Sequence, residues 1–112
     1  MNIRTLLPLG ALLAALSGGI AWAVDTKQLW QKNCVQCHGE DGKGGTKMGR
    51  KLKIPDLTDS KVQASFKDEQ VLKNMKEGVR DTDGKIRMKP VENATDAELK
   101  ALVSHVRTLN GK

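Results

Sequence analysis

Cys34-Val35-Gln36-Cys37-His38 is the stretch that decides the fold. Two thiols three positions apart lie on one face of a helical turn, and His38, four positions after Cys34, comes round to the same side. Thiols placed in this way can add to the two vinyl groups of one porphyrin, and the imidazole can then reach its iron as the proximal ligand. Cys-x-x-Cys-His is the attachment signature of a c-type haem, so the stretch predicts one covalently bound haem c.

Two other interpretations of the cysteine pair fit the sequence less well. A structural zinc site needs four ligands, but the chain contains two Cys and two His, and His105 is far from the motif in sequence. A thioredoxin-like dithiol is expected among strands that alternate with helices, and no strand pattern surrounds the motif. Haem is therefore the predicted cofactor, with Cys34 and Cys37 as its attachment points and His38 as an iron ligand.

The beginning of the chain has the pattern of a signal peptide. A short, weakly positive start ends at Arg4, and residues 6–16 are apolar with brief interruptions. Ala21-Trp22-Ala23 fits a small-x-small cleavage site, so we predict a signal peptide at 1–23 and a mature domain at 24–112. An uncleaved membrane anchor is the alternative, but the apolar run is short for a span. The sequence thus predicts an exported, periplasmic protein without a lasting membrane span.

The mature part is small and has few aromatic side chains. Trp30 and Phe66 are its aromatic residues, and no Tyr occurs. A chain of this size has difficulty burying enough apolar surface on its own, and a covalently held macrocycle would supply the missing apolar mass.

The charge of the chain indicates the kind of partner it meets. The formal net charge is +6, of which Arg4 in the signal peptide contributes one. A moderately basic surface predicts redox partner proteins with acidic docking surfaces. The lysines are scattered and no aromatic residues interleave with them, which argues against nucleic acid as a partner.

Helical periodicity runs through the mature part, and no segment alternates apolar and polar residues as a strand does. The predicted class is all-α, with three to five helices and no sheet, wrapped around one haem. The predicted helices are 25–35 capped by Asp25, a short one at 58–63, one capped by Ser65 that runs to Glu77 before Gly78, and 94–110 with a Thr95 capping box. Residues 39–50 are predicted to form a glycine-rich loop that passes close to a flat cofactor.

Three methionines of the mature part could supply the sixth iron ligand. Met48 lies in the glycine-rich loop, Met75 lies on a helix stripe and is most simply a core residue, and Met88 lies in an extended stretch. Met88 is far enough along the chain to reach the haem face opposite His38, so it is the predicted distal ligand. His105, on the last predicted helix, is a competitor, but helix packing explains it more simply.

The His38 ring needs an acceptor for its second nitrogen. Ligating imidazoles usually donate their other N–H to a carbonyl or carboxylate, which holds the ring in one tautomer. Pro55 restricts Ile54 to an extended conformation, and the Pro55 carbonyl is the predicted acceptor. The alternative is that Pro55 only ends a loop.

Further stretches occur in an order that one family shows. They are Leu29-Trp30 before the cysteine motif, Ile54-Pro55-Asp56-Leu57-Thr58-Asp59 after it, a middle helix at 65–78, Met88-Lys89-Pro90, and Asp96-Ala97-Glu98-Leu99 at the start of the last helix. Over residues 26–109 the chain resembles a small class I bacterial cytochrome c. The resemblance implies the cytochrome c fold, whose first and last helices cross beside the haem edge. It also implies that Cys34 and Cys37 hold the haem, that His38 is the proximal ligand and that Met88 is the distal one.

The chain departs from this family in two places. The family commonly has an aromatic residue in the last helix where this chain has His105, at the point where that helix meets Trp30. A Pro commonly follows the ligand Met directly or nearly so, and Lys89 intervenes here. The resemblance also implies haem attachment outside the cytoplasmic membrane, in agreement with the predicted export.

The function that the resemblance implies is that of a one-electron carrier between larger redox complexes, and not an enzyme. An iron with six ligands changes oxidation state with little rearrangement and leaves no position for a substrate. The electron is expected to pass at an exposed haem edge ringed by lysines, the candidates being Lys43, Lys47, Lys51 and Lys89. The alternative is a haem subunit or sensor that binds a small ligand at an open or labile sixth position.

Overall fold

The structure is a computed structural model that describes Gly10 and residues 24–112. The predicted signal peptide, apart from Gly10, therefore lies outside the described residues, and its cleavage stays a prediction. In the described part of the chain, no helix is long and apolar enough to cross a membrane.

Helices dominate the described residues, which confirms the predicted all-α class. They are α1 Thr26–Asn33, α2 Val35–His38, α3 Lys47–Leu52, α4 Ser60–Ala64, α5 Asp68–Glu77 and α6 Asp96–Thr108, with two strands, β1 Val79–Arg80 and β2 Ile86–Met88, between α5 and α6. The prediction of three to five helices and no sheet is wrong in its count, since residues 24–112 form six helices and a two-stranded ribbon. Strands this short cannot show a period-two alternation, and the shortest helices leave almost no periodic signal.

The predicted first helix, 25–35, is two helices. Asp25 caps α1 as predicted, and its carboxylate accepts a hydrogen bond from the Gln28 backbone N–H at 3.0 Å. The helix ends at Cys34, whose φ of −123° departs from helical values. Beyond it, the His38 N–H donates to the Cys34 carbonyl at 2.9 Å. The helical turn expected across the cysteine motif therefore forms, on a helix separate from α1.

The predicted glycine-rich loop, 39–50, contains the start of helix α3. Thr46 caps this helix by accepting a hydrogen bond from the Gly49 N–H at 2.9 Å, and its hydroxyl donates to the Cys37 carbonyl, also at 2.9 Å. Because a hydroxyl is both donor and acceptor, one side chain caps α3 and fastens it to α2. The high density of glycines predicts a loop. It carries no information about the Cys37 carbonyl, which binds the Thr46 hydroxyl from nine residues away.

One predicted helix cap in the middle of the chain is wrong. The short helix predicted at 58–63 is α4, shifted by two residues at its start. The Ser65 hydroxyl, predicted to cap the next helix, donates to the Val62 carbonyl at 2.6 Å at the end of α4 instead. Helix α5 begins after Lys67, whose side chain makes no capping bond.

Helices α1 and α6 pack against each other and hold the core. Trp30 of α1 is 3% exposed, and its ring centroid lies 4.7 Å from that of His105 on α6, with the planes tilted by 48°. The imidazole therefore makes the crossing contact for which the resembled family commonly uses an aromatic ring. α6 begins with the predicted capping box of Thr95 and Glu98. The buried residues of its inner face are Leu99, Leu102, Val103 and Val106.

A buried amide ties helix α4 to helix α6. Gln63 is 3% exposed, and its amide nitrogen donates to the Leu57 carbonyl at 2.6 Å and to the Val106 carbonyl at 2.9 Å. Arg107 completes the amide's hydrogen bonds by donating to its oxygen at 3.0 Å, and it also pairs with Asp68 at 2.7 Å. A buried polar side chain is stable only when its groups are paired, so Gln63 joins α4 and α6 in one arrangement.

The ribbon of β1 and β2 brings the chain back beside the end of α5. Its register pairs Val79 with Met88, and a bulge follows. Gly78 ends α5 with a φ of +76°, and a Cβ there would lie 2.7 Å from the Met88 carbonyl oxygen. The Val91 N–H then donates to the Met75 carbonyl at 2.7 Å. Contacts on both sides of β2 thus fix Met88 next to α5.

Gly49→Ala is expected to destabilise the protein by about 1–3 kcal/mol, even though Ala is the better helix former. An added Cβ would collide with the carbonyl oxygens of Cys37 and Gly44 and lie 2.9 Å from the Gly44 carbonyl carbon. Backbone atoms cannot move aside as a flexible side chain can. Urea unfolding of the mature holoprotein, followed by circular dichroism, measures the loss.

Gly45→Ala is the matched control, because an added Cβ there meets no atom within 4 Å. We expect this variant to stay within about 0.5 kcal/mol of the parent protein. Equal unfolding midpoints for the two variants would contradict the close packing of α3 on α2.

Candidate functional site

Two adjacent cavities lie between α1, α2, the ribbon and α5, and they share five wall residues. Each has a volume of about 290 Å³. The shared residues are Cys34, His38, Ile54, Arg87 and Met88. We call the two cavities together the slot. Three of the five predicted site residues therefore line both halves of one space.

The inner half of the slot is mainly apolar. Its other lining residues are Trp30, Pro55, Leu57, Phe66, Val71, Asn74, Met75, Val79 and Val106. They come from helices α1, α5 and α6, from strand β1, and from the segments before and after α4. A wall of this composition suits a large, flat, apolar group.

The outer half of the slot carries the second cysteine and basic side chains. Its remaining lining residues are Asn33, Gln36, Cys37, Met48, Lys51, Leu52, Ile86 and Lys89. Lys51 and Lys89 are exposed, and Lys51 also lines a shallow surface depression with Lys47. We call Lys47, Lys51 and Lys89 the lysine rim. Lys43, the fourth lysine predicted at this edge, lines neither half of the slot.

The two cysteines face the slot as free thiols. Cys34 is buried and Cys37 is half-buried. Burial, with a smaller contribution from the neighbouring Cys37, raises the pKa of the Cys34 thiol to about 12. The thiolate is the reactive form in dithiol exchange, and redox-active cysteines have lowered pKa values. The raised pKa therefore disfavours a thioredoxin-like function and leaves two thiols beside an apolar space, as thioether attachment requires.

His38 lines the slot in surroundings that favour the neutral imidazole. Burial lowers its pKa below the ordinary value of 6.5, and the neutral form is the one that binds a metal. Its Nδ1 is buried and has no hydrogen-bond partner among the described residues. Pro55 lines the inner half with His38, so the predicted bond from the ring N–H to the Pro55 carbonyl stays a prediction.

The three methionines line different parts of the slot. Met88, half-buried in β2, lines both halves of the slot together with His38. Met75 is 2% exposed in α5 and lines only the inner half, and Met48 in α3 lines only the outer half. Shared position with His38 favours Met88 as the second axial ligand, and this assignment stays a prediction.

Trp30 connects the slot to the helix crossing. Its ring centroid is 5.9 Å from that of His38 and 4.7 Å from that of His105, and its indole N–H donates to the Gly39 carbonyl at 3.1 Å. His105 thus packs against Trp30, as the helix-packing interpretation predicted. The Trp30 ring therefore pairs with the ligand candidate as well as with the last helix.

Arg87 is a site residue that the sequence interpretation missed. It lies between two residues of β2 and is half-buried, and it lines both halves of the slot. A basic residue immediately before the predicted ligand Met88 was the one available signal. That signal alone does not predict the ribbon, which brings Arg87 into the wall of the slot.

Comparison with known proteins agrees with this geometry. The family model for cytochrome c matches residues 23–110. Among solved structures, the chain is similar to the KustC0563 c-type cytochrome, with a TM-score of 0.66 and 32% identity over 78% of this chain and 99% of that one. A mutant of KustC0563 matches with a TM-score of 0.64 and 32% identity, over 78% of this chain and all of that one. A search of the curated proteins finds no match.

The chain is a member of the cytochrome c family. Membership confirms the predicted fold and cofactor: the protein binds haem c covalently and is a haem-containing electron carrier. The residues of the slot fit this cofactor, since two free thiols and a neutral imidazole with an unpartnered buried nitrogen surround a mainly apolar space.

His105→Phe is expected to make stability less dependent on pH. Burial, and secondarily the positive charge of Lys112, lower the pKa of His105 below 6.5 in the folded protein. As pH falls from about 6.5 towards that lower value, the unfolded chain binds a proton at His105 while the folded chain does not, so stability is lost in this window. Thermal unfolding of wild type and variant across this range measures the difference.

The comparison is made between the two pH profiles, because the other titrating groups are common to both proteins. The variant should gain relative to wild type as pH falls. Parallel profiles would show that burial against Trp30 does not lower the pKa of His105.

Proposed function

We propose that this protein is a periplasmic one-electron carrier, not an enzyme, with a single haem whose iron is bound by His38 and Met88. One observation carries the proposal: His38 and Met88 line both halves of the same slot, although 50 positions separate them in sequence. Residues that line the same space from distant parts of the chain could both hold the iron of a haem bound there. The haem iron, when bound, supplies reversible one-electron oxidation.

The residues around the ligands support a carrier because they hold the two sides of the slot still. The Trp30 indole fixes the Gly39 carbonyl at the end of α2, and the Thr46 hydroxyl fixes the Cys37 carbonyl. On the Met88 side, the ribbon and Gly78 hold β2 against α5. A site held by both backbone and side-chain contacts changes little in shape between oxidation states, which favours rapid electron exchange.

The lysine rim supports docking of acidic redox partners. Lys51 and Lys89 are exposed at the outer half of the slot, and Ile86, which is 47% exposed, lies in the same wall. Exposed positive charges around an opening accelerate encounter with negatively charged partners and do so less at high salt. We infer that the electron enters and leaves at this outer half.

The predicted signal peptide supports the periplasmic part of the proposal. The predicted signal peptide at 1–23 precedes a domain whose family match begins at residue 23. Thioether attachment to Cys34 and Cys37 is expected after export, as the family resemblance implies.

Met88→Leu is expected to abolish the weak ferric absorption band near the red end of the visible spectrum that reports an Fe–S(Met) bond. Leu keeps the volume of the side chain but has no sulfur. Met75→Leu and Met48→Leu are the matched controls, and both should retain the band. The absorption spectra of the three purified ferric proteins provide the test.

Carbon monoxide binding to the ferrous forms of the same proteins distinguishes a carrier from a ligand-binding sensor. The ferrous wild-type protein should not react, whereas the Met88→Leu variant should bind the gas. Rapid binding by wild type would favour the sensor, and an unchanged Fe–S band in Met88→Leu would move the ligand to Met48 or Met75.

Lys51→Gln and Lys89→Gln are each expected to slow oxidation of the ferrous protein by the anionic reagent ferricyanide, by a few-fold at low ionic strength. Each variant removes a positive charge from the outer opening of the slot, and the loss should shrink as salt screens the rim. Stopped-flow rates at several salt concentrations measure it.

Lys100→Gln on α6 is the matched control, because it removes the same charge from an exposed position that lines neither half of the slot. Its rate should stay close to wild type. Equal slowing by all three variants would show that total charge, and not the lysine rim, sets the rate.

A further inference from the structure

Arg87 is a charged side chain in an unusual place. It is half-buried in β2 and lines both halves of the slot. In the inner half, the other polar side chains of the wall are His38 and Asn74. A guanidinium beside so much apolar surface is costly unless its N–H groups and its charge are satisfied.

The protein contacts of Arg87 account for part of its hydrogen-bonding capacity. Its Nη2 donates to the carbonyl of Leu52 at the end of α3. A guanidinium has five N–H donors, and no other hydrogen bond from this one is found within the described residues. The contact ties β2 to α3 across 35 positions of sequence and holds the guanidinium at the boundary between the two halves.

The charge of Arg87 has no partner from the described part of the chain. The ion pairs found there join Lys76 to Asp96 and Arg107 to Asp68. Neither half of the slot has an Asp or Glu among its described lining residues. The counter-ion that this guanidinium needs is therefore expected from whatever fills the slot.

We propose that Arg87 binds a propionate carboxylate of the haem and thereby sets how the haem edge sits in the slot. Arginine presents its N–H groups in a fork that matches a carboxylate, and such charge-assisted bonds are among the strongest in proteins. Arg87 is a positioning residue for the cofactor in this assignment. The inference rests on haem lying in the slot, but not on Met88 as a ligand or on the identity of a partner.

Arg87→Gln and Arg87→Lys, prepared as mature haem-loaded proteins, test the assignment by resonance Raman spectroscopy. The propionate bending band reports hydrogen bonding to the carboxylate, and it should move to lower frequency in Arg87→Gln. In Arg87→Lys the shift should be intermediate, since the charge remains but the fork is lost. The midpoint potential should fall in Arg87→Gln, because a nearby positive charge favours the ferrous form.

Arg80→Gln is the matched control, since Arg80 lies on the paired strand β1, is exposed and lines neither half of the slot. It removes the same charge and should leave the propionate band in place, with a smaller change in potential. Arg87→Gln and Arg87→Lys spectra that both match wild type would overturn the assignment and leave Arg87 as a structural tie to Leu52.

If Arg87→Gln does not load haem, Arg87→Lys decides between the two outcomes alone. A shifted propionate band in that variant supports the assignment, and a wild-type band overturns it. Failure of the His38–Met88 proposal would appear separately, as an Fe–S band that is absent from the parent protein or unchanged in Met88→Leu.

Discussion

Packing of Trp30 between two imidazoles is the contact on which the rest of the arrangement depends. The indole is 3% exposed, it lies against His105 of α6 on one side of the core and near His38 of α2 on the other, and its N–H holds the Gly39 carbonyl. The contact therefore couples the helix crossing to the cysteine motif.

The other elements are too short to form on their own. Helices of four to ten residues are marginal in water because the cost of nucleation is spread over few hydrogen bonds, and α2 to α5 all fall in this range. They are held instead by bonds to distant partners, such as Thr46 to the Cys37 carbonyl and Gln63 to the Val106 carbonyl. Covalently bound haem adds apolar mass to the same core, so the cofactor is part of what makes these short helices stable.

The sequence predicts those features whose signal is local. Asp25 and the Thr95–Glu98 box cap α1 and α6 as expected because a capping residue and its partner are three positions apart. The spacing of Cys34, Cys37 and His38 is likewise a local signal, because residues three and four positions apart lie on one side of a helical turn. By contrast, helix α3, the ribbon and the place of Arg87 depend on groups that meet only after folding, such as the Leu52 carbonyl that receives the Arg87 N–H. Short elements with distant partners leave no periodicity to detect.

The two halves of the slot differ in the charge of their walls. The inner half is lined by core residues of α1, α5 and α6, including Trp30, Met75 and Val106. The outer half has exposed Lys51 and Lys89 in its wall. An acidic partner would therefore meet exposed positive charge at the outer half. This difference in charge supports the proposal that the electron enters and leaves on the basic side.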